Sequence, residues 1–529
     1  MNSSESLFWA DQAAREVVER EGTLKRGIKI IRTEMGMGAS GVPHIGSAGD
    51  GIRSYAVSLA LKALKQKTEL VAFSDDLDGL RKVPLGFPKS LEADIGKPVS
   101  KIPDPSGCHK SFADHATSLL ADAFDKLGVE FTLKKASIEY PKGNLDKEII
   151  EILKNWKTVG EIIKQFTGQE KYLKQLPFIP FCAECGRVYT TVADEFDGKK
   201  IHYTCSAEFV GKNSDGKEVT ITSCGYEGLA GLHDGKLAWK ADFAARWRAL
   251  KISFEAYGKD IADSVKVNDE ISRRVLKWEP PLHSFYELFT ERGGKKLSKS
   301  IGNVFTPQLW LRYASPESLR LVYLKKLDKT RVVDLEAIPA YSDEVNELAE
   351  VYFGKKKVEN ETDLAHMKRL YEFVNFLKPP KSLQTMLAYN NLVNLVRYID
   401  DKTSVLKILQ STGHIPQKLK EADKKLVLSA IVKVDSWVED SGLETHESPK
   451  ISEASRNALK ILSSKLKKSK KEKEIENAIY ETMKESGLTS REFFSAVYQV
   501  LLGTPTGPRL LDLIQALGKD SVAKKLAEV

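Results

Sequence analysis

Long apolar runs are missing from this chain. No stretch of about 18 consecutive apolar residues occurs, the length a membrane-spanning helix needs, so no span is expected. Met1 to Glu21 is polar and charged and lacks the apolar core of a secretory signal. Cysteine is scarce, with five in 529 residues, too few for a disulfide framework and in keeping with a reducing compartment. These absences together predict a cytoplasmic protein. Internal repeats and low-complexity tracts are also missing. No readable feature specifies an oligomer, and a monomer is expected.

What is present fits a soluble globular protein of several domains. Hydrophobic residues make up 42% and charged residues 29%, and 529 residues are too many for one core. The net charge of +8 is compatible with a polyanionic partner, though spread this thinly it serves solubility equally well.

The first third reads as α/β. Gly27 to Arg32 is short and β-branched, as a buried strand would be, and a glycine-rich turn, Gly36 to Gly41, follows. Apolar residues at helical spacing run from about Gly46 to Leu64. Glu69 to Ser74 reads as the next strand, ending in Asp75, Asp76 and Asp78. This order predicts half of a doubly wound, Rossmann-type sheet, with both loops at the ligand-binding ends of the strands. Residues 178–230 carry cysteines, glycines and short β-like pieces such as Glu218 to Thr222, and read as an insertion. Trp239 to Asn303 should return to the sheet. Helical patterns dominate from about 305, with Phe376 to Pro380 as a linker. Thr489 and Glu492 have capping-box spacing, ahead of a face made by Phe493, Phe494, Val497, Tyr498, Val500 and Leu501. The basic run Lys465 to Lys473 is read as a solvated helix face rather than an RNA contact.

Two motifs carry chemistry. Ala39 to Ser47 holds His44-Ile45-Gly46 between the expected strand and helix. Glycines there admit a nucleotide, a helix N-terminus favours phosphate, and a histidine can donate to phosphate oxygens. Gly294 to Asn303 holds Lys296-Leu297-Ser298-Lys299-Ser300 on a glycine-bounded loop, whose lysines can neutralise a triphosphate and a departing pyrophosphate. Each alone also fits a structural turn or a solvated loop. Four of the five cysteines lie between residues 182 and 224. Cys182-Ala-Glu-Cys185-Gly186 is half of a zinc knuckle, and Cys205 and Cys224 complete a closed, structural Cys₄ site, with Gly211 to Thr222 looping out as a hairpin. His202 is an alternative ligand. Cys108 is read as a small core residue.

The two motifs, about 250 residues apart, resemble the signatures of class I aminoacyl-tRNA synthetases. Ser74 to Pro84, Ile102 to His109, Ser111 to His115, Leu237 to Trp247 and Tyr257 to Asp260 are similar to blocks of the class I, archaeal-type lysyl enzymes. The helix around Phe493-Phe494, with Leu501-Leu502-Gly503 and Gly507-Pro508-Arg509, resembles that family's last domain. The resemblance implies lysine activation with ATP and Mg²⁺, then transfer to the 3′-terminal ribose of tRNA(Lys). It implies catalytic roles for His44, Lys296, Ser298 and Lys299, and ATP contacts at Gly41, Pro43, His44, Gly46, Ser47 and Lys299. Gly36, Asp76, Trp239 and Tyr286 would shape the lysine pocket, with Phe285 and Asp75 beside them. Asp75 and Asp76 also fit a plain strand-end turn, and Trp239 a core position. The implied organisation is a catalytic domain in two parts, 1–177 and 231–305, around a zinc-bearing insertion at 178–230. A helical connecting domain at 306–378 and an all-α anticodon-binding domain at 379–529 follow.

The sequence departs from that family at Ile261, where a pocket histidine usually follows Gly258-Lys259-Asp260, and the glycine-rich piece normally found next is replaced by Ala262 to Val267. These departures bear on the amino-acid pocket rather than on the ATP chemistry. A class I synthetase for another amino acid, such as glutamate, shares the ATP motifs. A smaller ligase of the superfamily would not need the helical C-terminal half. A non-catalytic tRNA-binding paralogue would have no reason to keep His44, Lys296 and Lys299.

Overall fold

Short apolar segments separated by helices build a wholly parallel sheet in the first half of the chain. Its strands are β1 (Ile31–Met37), β2 (Thr68–Ser74), β3 (Thr132–Lys135), β4 (Ile252–Gly258) and β5 (Leu282–Tyr286), in the order β5-β4-β1-β2-β3. The computed structural model describes residues 8–84, 86–290, 305–399, 401–443 and 451–529. These form two compact units: Met1–Gln308 with Arg320–Val333 and Glu372–Leu377, and Leu309–Leu319 with Asp334–Tyr371 and Lys378–Val529.

In the first unit the chain leaves β1 for β2 and β3 on one side, then returns to β4 on the other. The carboxyl ends of β1 and β4 therefore flank a topological switch point, where doubly wound sheets bind ligands. Helices α1 (Trp9–Leu24), α2 (Gly49–Ala63), α3 (Phe112–Lys126), α4 (Trp239–Leu250) and α5 (Ala262–Arg274) accompany the strands. Helix α2 is buried along nearly its whole length. It packs tightly because Gly51 lacks a Cβ, which would lie 2.4 Å from Phe124 and 2.5 Å from Met35. Ser111 caps α3 by accepting from the Asp114 amide.

The expected first strand is displaced. It starts at Ile31 rather than Gly27 and runs through Gly36 and Met37, which the sequence reading placed in a turn. Flanked on both sides in a parallel sheet and buried at most positions, β1 takes its bounds from its neighbours rather than from a local run of β-branched residues. The following helix is preceded by a 3₁₀ turn at Ile45–Ala48.

Residues 178–230 form a three-stranded antiparallel sheet, Thr191–Phe196, Ile201–Cys205 and Glu227–Ala230, with a hairpin of Phe209–Lys212 and Glu218–Ile221. Phe178, Val188, Tyr203 and Ala230 join the same apolar cluster as Ile149, Ile162, Ala241 and Ile271. The insertion therefore shares its core with the helices that pack on the parallel sheet.

Every regular element among the described residues of the second unit is a helix. Helix Ser490–Leu502 begins with the Thr489–Glu492 capping box, and Phe493, Val497, Tyr498 and Leu501 are buried. Phe494 and Val500 are only half-buried, and Ala496 and Leu502 complete the face. The run Lys465 to Lys473 is not one helix face, because a helix ends at Lys468 and the next begins at Glu472. Phe376 is anchored in the first unit beneath the Arg320 guanidinium, 4.2 Å from its ring centre, so the linker proper starts after it.

Candidate active site

A cavity of ≈ 300 Å³ opens at the carboxyl ends of β1 and β4. Gly36, Gly38, Ala39 and Ser40 line it from the end of β1, and His44, Gly46, Ser47 and Asp50 from the turn into α2. Trp239, Phe243 and Arg246 reach it from α4, Gly258, Asp260 and Ile261 from the end of β4, and Tyr286 and Phe289 from the end of β5. Gly41 and Pro43, expected at ATP, do not line it. Gly41 has φ +159° and serves the turn.

His44 and Gly46 are sterically linked. A Cβ on Gly46 would lie 2.8 Å from His44 Cε1 and 3.0 Å from Nδ1, so the imidazole occupies the space glycine leaves. The Ile45 N–H donates to the Phe305 carbonyl (2.8 Å), and the Tyr323 hydroxyl donates to the Ile45 carbonyl (2.6 Å). Lys296, Ser298 and Lys299 lie outside the described residues. The flanking residues are fixed at the site: Phe289 lines the cavity and Phe305 holds Ile45.

The floor is a buried charge cluster. Glu34 of β1 and Glu255 of β4 are paired across adjacent strands, and both are buried. Arg246, 1% exposed, donates to Asp75 (2.8 Å) and lies 3.5 Å from both Glu34 and Asp242. Its guanidinium sits between the Phe73 and Phe243 rings, 4.4 and 4.7 Å from their centres. Lys236 donates to Asp78 (2.5 Å), Trp247 to Glu255 (2.6 Å) and Tyr140 to Asp242 (2.5 Å).

Burial pushes the Asp75 carboxyl up to about 7 against the pull of Arg246 and Lys236. Burial likewise raises Glu34 well above the carboxylate range, with Arg246 offsetting only part. Glu255 is raised for the same reason. For Arg246, burial favours the neutral form, but Asp75, Glu34 and Asp242 outweigh it and hold the cation. Asp50 is raised to about 7 by burial, with the Tyr286 hydroxyl donating to it in the opposite sense. Arg53 stacks on the Tyr286 ring at 3.8 Å.

Of the expected lysine-pocket residues, Gly36, Trp239 and Tyr286 line the cavity, Trp239 edge-on to Phe243 with centroids 4.4 Å apart. Asp76 does not. Its carboxylate accepts from the Ser137 amide (2.7 Å) and hydroxyl, which turns it away from the cavity, while Asp75 faces in. Phe285 is exposed and does not line the cavity. Sequence reasoning assigned no role to Glu34, Asp50, Arg246 or Glu255. The available signal was one glutamate within each of two largely buried strands, since buried carboxylates need partners.

The four clustered cysteines converge. Cys182 Sγ lies 3.6 Å from Cys224 Sγ, and Cys185 Sγ 3.9 Å from Cys205 Sγ. A tetrahedral Cys₄ zinc site has S···S separations of about 3.8 Å. The Cys224 amide points at Cys205 Sγ (3.5 Å), and the Arg187 amide bonds to Cys185 Sγ. These donors, thiolates with backbone amides behind them, fit zinc. His202 instead pairs with Asp194 (2.6 Å) and Glu227 (3.0 Å), which removes it as a ligand. Cys108 is exposed, not a core residue.

The family described as tRNA synthetases class I (K) matches residues 7–376, and an anticodon binding domain matches residues 390–529. A lysine–tRNA ligase of Cenarchaeum symbiosum is 40% identical over 521 residues, covering 97% of this chain and 97% of the relative. A lysine–tRNA ligase of Natronomonas pharaonis is 31% identical, covering 98% and 97%. One from Rickettsia prowazekii is 31% identical, covering 94% and 92%. With the parallel sheet, the His-Ile-Gly turn at its switch point and a helical C-terminal unit, these matches place the chain in the class I (K) family of tRNA synthetases.

Proposed function

We propose that the chain is a lysine–tRNA ligase that activates L-lysine with ATP and transfers it to the 3′-terminal ribose of tRNA(Lys). The charge of the cavity carries this reading. Asp50, Asp75, Asp78, Glu255, Asp260 and Glu287 line it against Arg246 as the one guanidinium among the described lining residues. Such a floor favours a substrate with two ammonium groups. The side-chain carboxylate of glutamate would meet like charge there, which costs affinity.

In the first step the lysine carboxylate attacks the α-phosphorus of ATP, and pyrophosphate leaves. The protein forms no covalent bond; it positions the reactants and stabilises charge. Gly36 and Gly38 let the substrate approach the end of β1. Trp239 and Tyr286 flank the aliphatic chain, and Asp75 meets an ammonium group. His44 donates to phosphate oxygens as charge builds on them, held in place by the gap at Gly46, with Gly46 and Ser47 beside the nucleotide. Lys296 and Lys299 neutralise the β- and γ-phosphates and the departing pyrophosphate, with Ser298 on the same loop. Mg²⁺ bound with ATP supplies further charge neutralisation. In the second step the terminal ribose 2′-hydroxyl of the tRNA attacks the adenylate carbonyl, and AMP leaves. Cys182, Cys185, Cys205 and Cys224 hold a structural zinc ion. Residues 379–529 read the anticodon, whose unstacked bases suit aromatic and basic side chains. The experiment is Lys299→Ala. Lysine-dependent ATP–pyrophosphate exchange should fall about 10²-fold or more with tRNA affinity within about twofold of wild type. Unchanged exchange would overturn the role given to this loop.

A further inference from the structure

We infer that a second cavity, at the carboxyl ends of β2 and β3, receives backbone phosphates of the single-stranded 3′ end of the tRNA, with Lys101 and Lys110 as the cations that meet them. The cavity has a volume of ≈ 590 Å³ and shares no lining residue with the active-site cavity. This rests on the ligase reading above and adds to it a path for the acceptor strand. One short segment divides the two cavities. Asp75 and Asp78 line the active-site cavity, whereas Asp76 and Leu77 line the second. The terminal ribose has to reach the adenylate in the first cavity, so the nucleotides behind it must lie on the surface around it. The second cavity opens just across the dividing segment.

The charge of the second cavity selects an anion. Lys101, Lys110 and Lys135 line it, against Asp76 and Asp114. Both carboxylates are satisfied within the protein. Asp76 is 2% exposed and accepts from the Ser137 amide and hydroxyl, and Asp114 pairs with Lys135 at 2.5 Å. The imidazole of His233, also in the lining, pairs with Asp146 at 3.0 Å. Lys101 and Lys110 are left over. Both are exposed, and neither pairs with a carboxylate among the described residues. The Lys101 ammonium is held 4.4 Å from the centre of the Phe181 ring. Lys110 directly precedes Ser111, the N-cap of α3, so its backbone is fixed at the start of that helix.

The remaining walls favour a nucleotide strand over a free phosphate ion. Ile138, 42% exposed, and Pro141 line the same cavity. An apolar wall beside two ammonium groups suits an unstacked base or ribose next to its phosphates, as single-stranded sites combine a cationic track with apolar platforms. A small inorganic anion would leave that wall uncovered. The volume is within the range of clefts that enclose ligands of this size.

The test measures tRNA(Lys) affinity of the full-length chain against salt, for wild type and for Lys101→Gln/Lys110→Gln. Each protein is given intact tRNA and tRNA lacking its single-stranded 3′ end. Losing two phosphate contacts to a single strand should flatten the slope of log affinity against log salt by about 1.4, and weaken binding about tenfold or more at about 0.1 M salt. Removing the 3′ end should cost the wild type more slope than it costs the variant, by the same amount. Lysine-dependent ATP–pyrophosphate exchange at saturating tRNA should be unchanged in the variant, since neither lysine lines the active-site cavity. Lys101→Arg/Lys110→Arg keeps both charges and should keep the wild-type slope. An unchanged slope in the glutamine variant, or an equal effect of removing the 3′ end in both proteins, would overturn the site alone. A wild type that binds no tRNA would overturn it together with the reading it rests on.

Discussion

Replacing Arg246 with methionine removes the cation at the centre of the cavity floor while keeping an unbranched apolar stem between Phe73 and Phe243. Asp75 loses a 2.8 Å partner, and Glu34 and Asp242 lose one at 3.5 Å, leaving Lys236 as the nearest cation to Asp75. Losing one partner of a buried ion pair costs about 3–5 kcal/mol, and the two lost ring contacts add about 1–2 kcal/mol. That is a large part of the 5–15 kcal/mol typical of a folded domain. The deficit depends on pH. Asp75 is already raised to about 7 by burial, and removing Arg246 raises it and Glu34 further. In the unfolded chain both ionise near pH 4. Groups protonated when folded and ionised when unfolded lose stability as pH rises, by about 1.4 kcal/mol per pH unit for each proton. Between pH 8 and 6 the wild type, with Asp75 at about 7, itself gains about 1.4 kcal/mol, and a variant with Asp75 protonated throughout gains about 2.7 kcal/mol, so lowering the pH should shrink the deficit by about 1.4 kcal/mol. Urea unfolding followed by tryptophan fluorescence measures this, five of the seven tryptophans (Trp9, Trp156, Trp239, Trp247 and Trp278) lying in the first unit. Arg246→Met with wild-type stability at pH 8, or with the same deficit at pH 6 and 8, would refute the reasoning.

The two adjacent aspartates should separate cleanly. Asp75→Asn should raise the KM for lysine by about tenfold or more with the KM for ATP within about twofold, measured by exchange kinetics. Asp76→Asn should leave the lysine KM unchanged and cost about 1 kcal/mol in urea unfolding through its bonds to Ser137. Gly46→Ala should displace the His44 imidazole and lower the exchange rate about as much as His44→Ala. The double variant should be no slower than either, and additive losses would show that the two act independently.

The doubly wound half of the sheet was legible because its strands and helices carry the right periods, and the His-Ile-Gly turn because it stands between a strand and a helix. The bounds of β1 were not, since pairing with β2 extends it through Gly36 and Met37. Asp75 and Asp76 could not be told apart, because neighbouring residues at a strand end face opposite ways and only the position of Ser137 shows which is turned away. The charge floor draws Glu34, Asp75, Arg246 and Glu255 from four elements, a convergence that no local pattern encodes. Cys108 read as apolar by itself; its partners Asp104 and His115 meet it only through the turn into α3.

Amino-acid-dependent ATP–pyrophosphate exchange across all twenty amino acids, with and without tRNA, tests the central claim most directly. Exchange with lysine and with no other amino acid is the predicted result, and it would show that Ile261 is compatible with a lysine pocket. Exchange with glutamate or any other residue in place of lysine would contradict the cation-selecting floor, and no exchange with any of the twenty would contradict the activity itself.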